Sequence, residues 1–207
     1  HPDRQLFRIT KLGRVKYTEV FMNRTDIKSD MPGFEDTLSD AEIIVYRILH
    51  IGFGAFWVGS ALFLTIILEP RLRAMGPTFH GPVMGAVTKV AGPALLGSGT
   101  ITVVVGIVMT YRMRSGTFDT FFDTGWGWAI SIGFVTAVTA LIIGSVVAML
   151  SSQLRALAGA VQGAGRPPTP EEQAEMGALS KRLITLARTA AGLVLIALIA
   201  MASARFV

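Results

Sequence analysis

The chain contains no cysteine, which removes disulfides, thiolate metal ligands and cysteine nucleophiles from consideration. Charge is scarce as well: only 16% of the 207 residues are Asp, Glu, Lys or Arg, against about a quarter in a soluble globular domain. Histidine occurs only as His1, His50 and His80, so a bound metal would have to draw on few imidazoles, on methionine or on carboxylate. A phosphate-binding glycine loop, a nucleophile elbow, a zinc-binding helix motif and a pair of catalytic carboxylates are all absent. What is present is apolar: 51% of the residues are hydrophobic and the mean hydropathy is +0.54. That balance belongs to a membrane protein. The net charge of +5 comes from basic residues scattered between apolar runs, which points to loop anchors and lipid headgroups and away from nucleic acid.

A helix needs about 20 apolar residues to cross a hydrocarbon core of about 30 Å. The runs Ile48–Leu68, Val90–Tyr111 and Thr124–Leu154 reach that length without a charge, and Leu183–Ala204 is interrupted only by Arg188. Inside lipid a chain must satisfy its own backbone polar groups, so such runs are helices. The expected fold is therefore all-α, a polytopic bundle of four transmembrane helices over residues 39–207. Its spans fall near 43–70, 83–112, 125–154 and 176–205, with both termini on one side. The positive-inside count is ambivalent: charges close to the spans place the termini outward, and including the N-terminal residues reverses this.

Residues 1–38 form a polar extension of mixed charge. Its opening, "HPDRQLFRITKLGRVKYTEV", lacks a continuous apolar stretch, so the first apolar helix is expected to direct insertion. Within it, "FRITKLGRVKYTEVF" reads as a short hairpin around Gly13. So little apolar surface cannot fold alone, so the extension is expected to lie against another protein surface or to pack on the chain's own loops.

Local signals set several helix ends. "SDAE" at Ser39–Glu42 and "TPEE" at Thr169–Glu172 are capping boxes, the second with Pro170 at the first helical position. Pro93 is expected to kink the second span or be absorbed by its neighbours. "AGAVQGAGRPPTPEEQ" reads as a Gly/Pro-rich linker. In "LEPRLRAMG", Pro70 is expected to end or bend the first helix, with Glu69, Arg71 and Arg73 as boundary anchors, the two arginines snorkelling to headgroups or pairing with Glu69. Trp126 and Trp128, in "FDTFFDTGWGWA", suit an aromatic belt. Gly52, Ala55 and Gly59 form a small-residue strip that permits close helix approach.

His50, Gly54, Trp57 and Ala61 fall at i, i+4, i+7 and i+11, one face of a helix. An ionisable residue in a span normally faces the bundle interior. Two roles suit that histidine. It can be an axial haem ligand, with Gly54 one turn away leaving room for a flat macrocycle beside Trp57. It can instead be a neutral imidazole near the interface, bonded to a backbone carbonyl or to water, the commoner role for an isolated polar group. Bis-histidine ligation is not expected: His1 belongs to the polar extension, and His80 lies beyond the opposite end of the first helix, about 30 Å away at 1.5 Å per residue. Met109, Met113 and Met149 are the candidate sixth ligands, and no Met-rich copper cluster occurs.

"LHIGFGAFWVGSALFLTIILEPRL", from Leu49 to Leu72, resembles the first helix of the CopD-like and HemJ-like bacterial membrane proteins. "VAGPALLGSGTITVVVGIVMTY" and "TGWGWAISIGFVTAVTALIIGSVVAML" resemble their second and third helices, so the likeness covers about residues 43–207. The resemblance implies a bacterial cytoplasmic (inner) membrane and makes His50 the counterpart of a haem b ligand in HemJ-type protoporphyrinogen oxidases. That family's third helix begins Gly-Trp-x-His-x-Lys, whereas here the His and Lys positions hold Trp128 and Ile130.

The loss of that ionisable pair argues against the oxidase reaction. The leading expectation is a non-enzymatic accessory subunit of a larger membrane assembly, with energy-transducing complexes as a candidate setting, in contact with lipid and other protein subunits. A haem b protein using His50 and a CopD-like copper or small-solute permease are the alternatives.

Overall fold

The structure is a computed structural model and describes residues 40–113 and 120–206. The polar extension, its hairpin and Ser39 lie outside the described residues. Helix α1 (Asp40–Leu62) passes through a π-helical turn (Phe63–Leu68) into α2 (Glu69–Ala74). Helix α3 (Pro77–Met113), a 3₁₀ turn (Phe121–Asp123), α4 (Gly125–Gly163), α5 (Pro170–Ser203) and a final 3₁₀ turn (Ala204–Phe206) follow. No strand occurs among the described residues. The stretches Ala41–Ala74, Thr78–Arg112, Gly125–Gly163 and Pro170–Phe206 are each long and apolar enough to cross a membrane. The protein is thus an all-α chain with the four apolar helices of a multi-pass membrane protein.

Capping chemistry explains where α4 and α5 begin. The Thr124 hydroxyl accepts from the Gly127 amide at 3.4 Å. Gly127 is itself obligatory, since a Cβ there would run into the Phe121 carbonyl oxygen. At α5 the expected capping box forms: the Glu172 amide donates to Thr169 Oγ1 at 3.2 Å, and the Thr169 amide donates to Glu172 Oε2 at 2.8 Å. Arg166 closes the same corner, with its two terminal nitrogens 2.9 and 2.7 Å from the Glu172 carboxylate.

Three boundaries differ from the sequence expectation. Pro70 does not end the first helix, which continues to Ala74. Proline lacks the amide that an α-helix needs, and the turn before it is wound in π register, with the Glu69 amide reaching Leu64 O. The chain instead turns at Gly76, whose φ of 91° suits glycine. Helix α3 then starts at Pro77 and not near residue 83, because proline is pre-set for a first helical position. His80, expected in a loop, therefore lies in the first turn of α3. Pro82 and Pro93 both sit inside this helix without breaking it. Finally, α4 runs on to Gly163, so the first six residues of the expected linker are helical. Buried Val161 ties that last turn to the protein.

Successive helices pack antiparallel. Along α1 and α3, His50 meets Gly106, Gly54 meets Thr102 and Trp57 meets Gly99, so one turn down α1 matches one turn up α3. Along α3 and α4, Gly99 meets Leu141 and Leu96 meets Gly144, while Arg155 Nη1 donates to Thr88 Oγ1 at 3.1 Å. Between α4 and α5, a Cβ at Gly133 would come within 2.9 Å of Met201. Trp57, Ala137, Ala140, Val194 and Ala197 form the buried core. Apart from the tryptophan these are small or β-branched, as expected where no hydrophobic force drives helices together in lipid and close backbone approach must hold them. Large side chains point outward instead, with Ile66 63%, Val135 61% and Ile142 61% exposed.

Candidate functional site

The His50 face is a helix seam. The Nδ1 atom of His50 lies 2.8 Å from the backbone oxygen of Thr102. A carbonyl only accepts, so the Nδ1 atom carries a proton. The half-buried ring lies against Gly106, where a Cβ would come within 2.8 Å of Cε1. Gly54 gives its space to Thr102, whose methyl would be 3.3 Å from an added Cβ. Trp57, 7% exposed, lays its indole on Gly99, where a Cβ would meet Cε2 at 2.8 Å. The room beside Gly54 is thus taken by α3. Thr102 and Ser98 are buried but satisfied locally: Thr102 Oγ1 donates to Ser98 O at 2.8 Å and Ser98 Oγ to Leu95 O at 3.1 Å.

The axial-ligand partners separate accordingly. Met149 is 52% exposed and lies beyond Gly144, which is level with Leu96. His50 is level with Gly106, about 20 Å away along the helix axis at 1.5 Å per residue. These two cannot share one iron. Met109 is on the same half of α3 as Gly106, and the Met113 side chain lies outside the described residues.

A second polar group sits at the opposite end of the bundle. Glu69, expected at the helix boundary as an ion-pair partner of Arg71 or Arg73, is only 9% exposed. Its Oε1 accepts from Arg73 Nε at 2.8 Å and lies 2.8 Å from Arg73 Nη2. His80 Nε2 is 3.6 Å from the same oxygen, too far for a hydrogen bond. Glu69 Oε2 and His80 Nε2 are buried without a hydrogen-bond partner. The sequence reading missed this meeting because it placed His80 in a loop. Pro77 at a helix start was the available signal. Arg71 is exposed, as an anchor requires.

Trp126 and Trp128 stand at the start of α4. Trp128 is 57% exposed and donates from Nε1 to Phe122 O at 3.1 Å, while Trp126 packs edge-on against Phe121. Gly52 and Gly59, together with Ala55, face outward on the side of α1 away from the His50 seam. A Cβ at either glycine would meet nothing within 4 Å. Among the described residues no group of three or more His, Cys, Asp or Glu is placed to hold a metal ion. No protein-family model, curated protein or solved structure matches the chain.

Proposed function

We propose that this protein is a non-enzymatic integral membrane subunit that docks through α1 onto another membrane polypeptide of a larger assembly. The observation that carries this reading is the two-sided use of α1. One face, His50–Gly54–Trp57, is consumed in packing against α3. The other alternates hollows and knobs along one stripe, Gly52, Phe56, Gly59 and Phe63, with both phenylalanines 50% exposed and both glycines open. Small residues on a lipid-facing helix let a second backbone approach, and such contacts drive association within bilayers. The motif likeness of Leu49–Leu72 to CopD-like and HemJ-like proteins supports a bacterial cytoplasmic membrane as the setting, and the Trp128 and Ile130 positions support a non-oxidase role. Purification in mild detergent at native expression tests the reading. A second polypeptide should co-elute in fixed ratio, and a protein that runs alone as a monomer contradicts it.

A haem b role for His50 is the second reading. Ligating histidines commonly donate their other ring N–H to a carbonyl, and His50 Nδ1 makes such a bond to Thr102 O. If haem were bound there, His50 would hold it and the group would supply one-electron chemistry, although Thr102 occupies the room beside Gly54.

A further inference from the structure

An open groove of about 390 Å³ runs between α1–α2 and α5. Leu62, Ile66 and Pro70 form one wall, Gly192 and Leu195 the other, and Arg188 lines the same groove. Pro70 lies toward the end of its helix and Leu62 toward the middle, while on α5 Arg188 precedes Gly192 and Leu195. The groove therefore has a cationic outer end and an apolar inner one.

Arg188 is the only charge in the apolar run Leu183–Ala204. It is exposed and makes no hydrogen bond or ion pair among the described residues. An unpaired guanidinium on a spanning helix is costly and calls for a counter-charge. Its Cα lies five residues inside Leu183, about 7–8 Å of helix, so the side chain can snorkel to the headgroup level. Lys181 is two turns further out on the same face of α5, exposed as well. The groove is the size of a small-molecule site, about 300–1,000 Å³. The π-helical turn Phe63–Leu68 supplies part of its wall.

We propose that this groove holds one anionic phospholipid, its phosphate on Arg188 and an acyl chain descending past Gly192 and Leu195. Charge, depth and polarity run in the order of such a lipid: cation at the interface, apolar channel toward the bilayer centre. The groove begins at Leu62, three residues beyond Gly59, so it adjoins the α1 docking face, while its cation, Arg188, is supplied by α5.

The test equilibrates the purified full-length chain in mild detergent with equal phosphatidylglycerol and phosphatidylcholine, washes it, and quantifies retained lipid by mass spectrometry. The wild type should retain the anionic lipid over the zwitterionic one by about fivefold, the factor that one interfacial cation contributes. Arg188→Gln should abolish the preference and Arg188→Lys should keep it. Gly192→Leu, which fills the channel and leaves the charge, should lower retention of both lipids. An unchanged preference in Arg188→Gln overturns the proposal. So does equal thermal stabilisation by inorganic phosphate, which would make this a phosphate site without a lipid. Release of a co-purifying polypeptide by Arg188→Gln, with lipid retention unaltered, would assign the groove to a partner carboxylate and also overturn it.

Discussion

The imidazole of His50 donates from Nδ1 to the carbonyl oxygen of Thr102 at 2.8 Å, and its ring occupies the space that a side chain at Gly106 would need. Histidine and glycine are a matched pair across the α1–α3 seam. Gly106→Ala should destabilise the protein in detergent by about 1–3 kcal/mol, the cost of overpacking a tight contact. In a His50→Ala background the same change should be nearly neutral, because the obstructing ring is gone. Thermal unfolding of the four proteins of this cycle gives the coupling directly. Additive effects would mean that the two residues do not share the site.

The packing of this face also bears on haem. Because Thr102 fills the space beside Gly54, the protein purified in mild detergent should give a flat reduced-minus-oxidised visible spectrum and a blank pyridine haemochrome assay. A stoichiometric b-type signal that disappears in His50→Ala would move the protein to the second reading.

At the other end of the bundle the Glu69–Arg73 pair is unequal: the arginine side chain is 51% exposed and the glutamate side chain 11%. Removing the cation strands a buried carboxylate, whereas removing the carboxylate leaves a solvated guanidinium. Arg73→Gln should therefore cost more than Glu69→Gln, by about 1–2 kcal/mol, since an unmade bond to a buried charge carries its desolvation penalty. The double variant should resemble Glu69→Gln alone. Equal costs for the two single variants would contradict the burial asymmetry.

Much of this architecture is written in local patterns of the sequence. Three charge-free runs of spanning length and a fourth interrupted only by Arg188 located the four helices, the Thr169–Glu172 box marked the start of α5, and the 3.6-residue period put His50, Gly54 and Trp57 on one face. The partner of that face was also present, in the spacing of Gly99, Thr102 and Gly106, but a glycine's role as a socket depends on what lies across from it. Of the two expectations for Pro70, ending the helix fails, because proline stops a helix only where its missing bond is not compensated, and the π turn before it compensates. The Glu69–His80 approach was hidden for a related reason. It depends on a sharp turn at Gly76 and an immediate restart at Pro77, which bring together residues eleven apart in sequence.

Docking through the Gly52–Phe56–Gly59 face is the central claim, and site-directed photo-crosslinking at Phe56 addresses it most directly. A photoreactive phenylalanine analogue in place of Phe56, in cells expressing the protein at its native level, should join it to a second polypeptide. The same analogue with Gly52→Leu and Gly59→Leu should lose that adduct while the protein remains folded. Adducts to lipid alone in the otherwise unaltered chain would show that this face of α1 meets only the bilayer, and would contradict the account.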